Sequence, residues 1–322
     1  MDKMAVTGGA GFIGSNLAEH LLSQGHEVLL IDNFSTGRES NLKLWAERAG
    51  DRVKLLRADV NETEKLRHAF RGVLYVFHQA AIPSVPRSIE DPKGTESSNI
   101  NGSLSLLLAA RDAGVRRVVL ASSSSVYGDD HNLLQVEDPV GRPHSPYALS
   151  KSVGEQYCRL FYELYGLETV CLRYFNVFGP RQDPKSEYAA VIPRFCTRLL
   201  GGKRPTIYGD GEQSRDFTYV ANVVEANWRA ATHAGAAGEV FNIGCGIQTS
   251  LNQLIGILNG ILDIRLEPIY EPARKGDIRH SFADVKKAER VLDFHPAIDL
   301  QEGLKRVVGW YREHPEDIHG VA

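Results

Sequence analysis

Cysteine is scarce in this 322-residue chain: Cys158, Cys171, Cys196 and Cys245 are far apart and form no Cys-x-x-Cys. That argues against a disulfide framework or a thiolate metal site, and the four read as buried free thiols of a reducing compartment. The eleven histidines form no His-x-x-x-His and no cluster with cysteine, so no metal site is expected. No apolar run approaches the ~18 residues that a bilayer span needs. The start runs at once into Met4-Ala-Val-Thr-Gly8, without a basic region ahead of a signal-type apolar stretch. A cytoplasmic protein with no membrane partner is expected. Excess positive charge is missing too: the formal net charge is -3, which argues against a general nucleic-acid binder. Internal repeats, low-complexity tracts and an evident flexible linker are absent. What is left, 43% hydrophobic and 24% charged, suits a soluble globular protein of one large domain or two closely joined ones.

The most specific local signal is at the start. Residues 3–7 read as a short strand, followed by Gly8-Gly-Ala-Gly11-Phe-Ile-Gly14 and a helical stretch from Ser15 to about Gln24. A second strand, Glu27 to Ile31, ends in Asp32. Strand, glycine turn, helix, strand and acid form the context in which such a turn binds a dinucleotide. The glycines let the backbone approach a pyrophosphate, and the helix N-terminus faces it. A carboxylate at Asp32 can accept hydrogen bonds from a ribose diol and would repel a 2′-phosphate. The expected cofactor is therefore NAD rather than NADP.

The alternation continues with strands at 53–57, 74–77, 117–121 and 168–173 and helices at 64–70, 100–113 and 152–165. This predicts an α/β protein with a doubly wound parallel sheet of the Rossmann type. Ligands of such sheets lie at the carboxyl ends of the strands. Asp32, Asp59, Ala80, Ala81, the serines after Ala121, and Tyr174 all fall there. Beyond Arg173 the pattern becomes richer in loops and proline. Residues 1–173 are expected to form the NAD-binding domain, and 174–322 a smaller mixed lobe closing over the crevice, with 239–243 returning to the main sheet. Leu104 to Ala109 and the stretch with Tyr157, Phe161, Tyr162 and Tyr165 carry more apolar surface than one sheet-facing side needs. Pairing in a homodimer or cover from the second lobe would use it.

Ser145-Pro-Tyr-Ala-Leu-Ser-Lys151 reads as a helix start, with Ser145 as N-cap and Pro146 at the first position. Tyr147 and Lys151 then share one face, a turn apart. A cationic neighbour and the positive helix end are expected to favour the phenolate, which makes Tyr147 a candidate base. Alone, such a pair is common by chance, and a tyrosine packed along a lysine stem is the plainer reading. The hydroxyls of Ala121-Ser-Ser-Ser-Ser-Val-Tyr127, at a strand's carboxyl end, offer a proton relay beside it.

Taken together, Thr7 to Gly14, Asp32-Asn33, Asp59-Val60, Ala80-Ala81, Asn99, Ser122 to Ser125, Tyr147-x-x-x-Lys151 and Arg173-Tyr-Phe-Asn176 resemble the extended short-chain dehydrogenase/reductase family over nearly the whole chain. The likeness is to the nucleotide-sugar 4-epimerases. Tyr174 to Pro184, Tyr188 to Pro193 and Gly209 to Asp216 resemble the UDP-N-acetylhexosamine branch in particular. The resemblance implies a redox-neutral isomerase in which Tyr147 takes the proton of the sugar 4-hydroxyl, Ser123 bridges, and Lys151 holds the nicotinamide ribose. NAD would stay bound while a 4-keto sugar turns over in the pocket.

For the cofactor the likeness implies Gly8, Gly11, Phe12, Ile13, Gly14, Asp32, Asn33, Ser35, Thr36, Gly37, Asp59, Val60, Ala80, Ala81, Asn99, Ser122, Tyr147, Lys151 and Tyr174. For the UDP-sugar it implies Ser84, Ser123, Ser124, Ser125, Tyr147, Asn176, Ala190 and Val191. Ile207 and Tyr208 would meet the uracil, Arg215 and Arg274 the diphosphate, Asp277 the uridine ribose, and Ser281 the sugar. Related dehydratases and decarboxylases carry carboxylates where this chain has Ser124 and Ser125, so their chemistry lacks its acid and base. Some 4-epimerases wall off the space beside C2 with a tyrosine where this chain has Ser281. A serine leaves room for an acetamido group without rejecting a hydroxyl. UDP-GlcNAc and UDP-GalNAc, with UDP-Glc and UDP-Gal, are the expected substrates. A strict UDP-glucose or a UDP-glucuronate 4-epimerase, or an NAD-binding sensor without turnover, is the alternative.

Overall fold

The central strand β1, Lys3–Thr7, is buried from Met4 onward. In the computed structural model, which describes residues 1–43, 45–128, 134–184, 190–273 and 279–318, six more strands join it in one sheet. They are β2 (Glu27–Asp32), β3 (Val53–Arg57), β4 (Val73–His78), β5 (Arg117–Ser123), β6 (Glu168–Tyr174) and β7 (Val240–Ile243). The order is β7-β6-β5-β4-β1-β2-β3, and every neighbouring pair is parallel. The winding reverses between β1 and β4, which opens a crevice at their carboxyl ends.

Helices cover both faces, which is why the inner strands read as unbroken apolar runs. On one side α1 (Phe12–Ser23) and α7 (Val220–Thr232) pack Leu17, Leu21, Val223 and Ala226 against Val6, Leu30 and Phe241. On the other, α2 (Thr63–Ala69), α4 (Gly102–Asp112) and α5 (Pro146–Tyr165) bring Leu66, Leu106, Leu107 and Phe161 onto Ile31, Val76 and Leu120, and the short α3 (Val85–Glu90) lies between α2 and α4 in the chain. Each such Val, Leu, Ile or Phe side chain contributes about 1.5–3 kcal/mol on burial. The edge strand β3 has only half-buried and exposed positions, and Leu55 is half exposed there. The helix expected from Ile100 starts earlier, as a π-helical turn over Glu96–Asn101 that runs into α4.

A third core belongs to the second lobe. Phe178, Phe195, Leu254, Leu258, Leu304 and Tyr311 meet between α6 (Val191–Leu200), α8 (Leu251–Leu262) and α9 (Leu300–Glu313). Phe12 and Ile13, from the glycine turn, pack against this core and so tie the lobe to the start of α1. Four very short strands, Leu134–Gln135, Ser214–Arg215, Thr249–Ser250 and His280–Ala283, make a separate small sheet. Arg117 at the start of β5 is 1% exposed. Its guanidinium donates to the carbonyls of Ala230, Ala231 and His233 at the end of α7, and to Glu168. The buried charge is thereby paired, and the otherwise open carbonyls of that helix end are satisfied. No helix among the described residues is long and apolar enough to cross a membrane.

Candidate active site

At the carboxyl ends of β1, β2, β4, β5 and β6 lies a cavity of about 770 Å³. Its floor is the glycine turn. Gly8 has φ +66, and a Cβ there would stand 2.7 Å from the Ala80 nitrogen, so only glycine fits. Gly8 N–H donates to Ile31 O at 2.8 Å, and Gly11 N–H to Gly8 O at 3.0 Å. Gly11 caps α1 without a side chain, so the N–H groups of the first turn face the cavity wall that Gly11, Phe12, Ile13 and Gly14 form. This is a cradle for an anion.

Asp32, 7% exposed, accepts from Ala10 N–H at 2.9 Å and Phe34 N–H at 2.8 Å, which aims its carboxylate along the cavity. Asn33 donates to Asp59 at 2.8 Å. Burial pushes the Asp59 carboxyl up, but hydrogen bonds from Asn61 N–H, Asn33 and Asn61 Nδ2 outweigh it, and the group titrates below the ordinary range.

The opposite wall is the start of α5. Ser145 Oγ accepts from Ala148 N–H at 3.1 Å and Pro146 opens the helix. Lys151 is 8% exposed, and its Nζ donates to Ala121 O at 2.7 Å while lying 5.8 Å from the centre of the Tyr147 ring. Burial pulls Lys151 down to about 8. Burial also raises Tyr147 above its ordinary value, and a hydrogen bond with Ser123 draws it part of the way back. The expected lowering by the lysine and the helix dipole is therefore overturned in the protein alone: desolvation of the phenolate is the larger effect. Ser123 Oγ also accepts from Ser125 Oγ at 2.9 Å and from Ser125 N–H at 3.2 Å.

A nucleotide cradle and a tyrosine-serine-lysine set thus share one cavity. Residues 4–244 match the model of the NAD dependent epimerase/dehydratase family. The chain belongs to that family. Its cofactor is NAD, and the uncapped α1 end, the glycines that admit no Cβ, and Asp32 fit it.

The chain is similar to the UDP-glucose 4-epimerase of Mycolicibacterium smegmatis, with 40% identity over 313 residues, 96% of this chain and 98% of that one. It is similar in structure to a UDP-N-acetylglucosamine 4-epimerase from Methanobrevibacter ruminantium in complex with UDP-N-acetylmuramic acid. There the TM-score is 0.92 at 39% identity, covering 97% of this chain and 99% of that one. The UDP-glucose 4-epimerase of Thermus thermophilus in complex with NAD gives 0.85 at 35% identity, covering 96% and 99%.

In this member of the epimerase/dehydratase family the structure brings most of the expected residues to one cavity. Gly8, Gly11 to Gly14, Asp32, Asn33, Ser35, Thr36, Asp59, Val60, Ala80, Ala81, Ser84, Ser122 to Ser124, Tyr147, Lys151, Tyr174, Asn176 and Ala190 line it. Others stand behind it or apart. Gly37 backs Asp32, where a Cβ would come within 2.8 Å of both carboxylate oxygens. Asn99 clamps Ile82 through its N–H and C=O and donates to Ser150 at 3.0 Å. Ser125 is turned onto Ser123, and Val191 begins α6 just past Ala190.

Ile207 and Tyr208 lie on a strand paired with Ile269–Glu271. Arg215 and Ser281 are register partners in the small sheet and are not among the residues that line this cavity. Arg274 and Asp277 fall outside the described residues.

Sequence reasoning missed further cavity residues: Arg38, Gln79, Arg87, Arg181, Gln182 and Asp183. Gln79 follows β4 directly, so its place at a strand end was a usable signal. It shares hydrogen bonds with the Tyr174 hydroxyl and Asn227. Asp216 was missed as well. Fully buried, its carboxylate accepts from the N–H groups of Cys245, Gly246 and Ala283, and its carbonyl from Asn176. It ties Asn176 to the strands that carry Arg215 and Ser281. Burial raises the carboxyl to about 6 despite those three donors. Among the described residues no His, Cys, Asp and Glu group could hold a metal.

Proposed function

We propose that the protein is a UDP-sugar 4-epimerase that interconverts UDP-GlcNAc with UDP-GalNAc and UDP-Glc with UDP-Gal through a 4-keto sugar. Residues 1–173 hold NAD in this reading, and 174–322 hold the UDP-sugar. The carrying observation is that Tyr147, Ser123 and Lys151 share one cavity with the glycine cradle and with Asn176 and Ala190 of the second lobe.

NAD supplies a reversible hydride acceptor, so the reaction shows no net oxidation. Tyr147 takes the proton of the 4-hydroxyl and gives it back, with Ser123 bridging the two oxygens. Lys151, held by Ala121 O, anchors the nicotinamide ribose, and the hydrogen bond with Ser123 offsets part of the rise that burial imposes on Tyr147. Ser124 and Ser125 supply hydroxyls where dehydration would need carboxylates.

The homologues' names span more than one sugar, and Ser281 is the residue on which we rest acceptance of the acetamido group. Purified protein with its bound NAD should convert UDP-GlcNAc, UDP-GalNAc, UDP-Glc and UDP-Gal, followed by proton NMR, with UDP-glucuronate as the comparison. Turnover of none of these sinks the proposal. Tyr147→Phe should lower kcat by at least about 100-fold while bound NAD persists. Ser281→Tyr should depress turnover of the acetylated pair more than that of the plain pair, and equal rates would remove Ser281 from the argument. The reading includes a homodimer. Leu149, Leu160, Leu164 and Tyr165 are exposed along α5 and form the face we assign to a second copy, which light scattering would test.

A further inference from the structure

The wall behind the serines holds a charged group that the proposed chemistry leaves without a task. Glu155 lies one helical turn beyond Lys151 and two beyond Tyr147 on α5, and it is 6% exposed. Its carboxylate is fully engaged. Arg173 of β6 grips it with a two-pronged fork, Nε at 2.9 Å and Nη2 at 2.7 Å. The Ser122 hydroxyl donates to the same Oε1 that accepts Arg173 Nε. Ser122 precedes Ser123 on β5, so the carboxylate fixes the end of the strand from which the proton relay projects.

A buried ion pair seldom stabilises a fold more than apolar residues of the same shape. Something besides stability therefore suits the retention of these charges. Two cations, Lys151 and Arg173, lie buried in this wall. Among the described residues the Lys151 ammonium donates to a neutral carbonyl, Ala121 O.

We propose that Glu155 is a positioning residue for the Tyr147–Lys151 pair. Its carboxylate anchors the Ser122–Ser123 strand end and supplies the negative charge that keeps Lys151 an ammonium. The inference rests on the reading of Tyr147 and Lys151 as the proton-handling pair.

The groups around Lys151 come from each packed element. From α5 come Tyr147 and Glu155. From β6 come Cys171, with Cys158 behind it, and Arg173. From β4 comes His78, which burial keeps neutral. β5 presents the Ala121 carbonyl. Glu155 is the carboxylate in this set; against the lowering by burial, Cys171 and then Glu155 pull Lys151 upward.

The test is the titration of Lys151 itself, in protein carrying its NAD and labelled at lysine Cε, with the Lys151 resonance assigned by Lys151→Met. In Glu155→Gln the titration should move acidward by on the order of one pH unit, and the alkaline limb of kcat should follow it. Glu155→Asp should restore most of both. Arg173 becomes an unpaired buried cation in the single variant, so Glu155→Gln with Arg173→Met is the companion for stability. It should recover the melting temperature, while the Lys151 titration returns part of the way because the Arg173 cation leaves with the carboxylate.

A Gln variant whose Lys151 titrates with wild type overturns the proposal. If wild type turns over no UDP-sugar, the epimerase reading fails, and the lysine titration still decides the role of Glu155.

Discussion

Two glycine-to-alanine substitutions, both inside helices, should have opposite signs. At Gly14 in α1 a Cβ would overlap the Gly8 carbonyl oxygen and stand 2.8 Å from its carbon, against an ordinary contact of about 3.5–4.0 Å. Gly8 cannot give way, because its own left-handed backbone is packed on Ala80. Backbone must therefore separate from backbone, at an overpacking cost of about 1–3 kcal/mol or more. Helix propensity returns up to about 1 kcal/mol. The net loss is roughly 1–2 kcal/mol, or a fall of about 2–3 °C in Tm for a chain of this size.

At Gly256, an exposed position in α8, a Cβ meets nothing within 4 Å. There the same change should stabilise by about 0.5–1 kcal/mol. The larger consequence of Gly14→Ala is on the cradle, whose N–H groups would be pushed off their aim. Calorimetry with and without added NAD, and the nicotinamide released per chain on denaturation, read both effects. Gly14→Ala should lose bound NAD and most of the NAD-dependent rise in Tm, while Gly256→Ala keeps both. A Gly14→Ala protein with wild-type Tm and a full complement of NAD would refute the steric reasoning.

Other outcomes follow from buried charges. Burial, with some help from Lys151, holds the His78 imidazole neutral down to about 3. The unfolded chain takes up that proton near 6.5, so the stability this group contributes is complete above 6.5 and is lost as the pH falls toward 3. Between pH 6.5 and 5 the loss should be about 2 kcal/mol, and His78→Gln should flatten that slope in urea unfolding. Equal slopes would contradict the assignment. Arg117→Met should cost about 3–5 kcal/mol, since it strips the donors from Ala230, Ala231 and His233 and leaves Glu168 only the more distant Arg116, at 3.9 Å. Denaturant midpoints measure it, and a cost below 1 kcal/mol would show that water replaces the guanidinium.

What the sequence disclosed depended on how local each signal was. The glycine turn, Asp32, and the Ser145 cap with Pro146 were legible because each is a short-range backbone requirement. The strands of the main sheet were legible because helices on both faces leave them unbroken apolar runs. The small sheet was not. Its strands of two to four residues carry no periodicity, and Arg215 meets Ser281 only through their register. The Gln79–Tyr174–Asn227 contacts and the hub at Asp216 join residues far apart in the chain, which no spacing rule reaches. The shift of Tyr147 was misjudged because sequence shows a lysine one turn away but not how dry the pocket is.

The last strand of the sheet has a consequence for how the chain is made. β6 is the outermost strand until β7 arrives, and between them runs the segment that supplies α6, α7 and much of the second lobe. On a ribosome an apolar, unsatisfied edge would therefore wait on the order of ten seconds for its partner. Such an edge is an invitation to intermolecular pairing. Cutting the chain after Tyr174 would make that interval permanent, so the nucleotide half expressed alone should aggregate, whereas a fragment ending beyond Ile243 carries the strand that closes it.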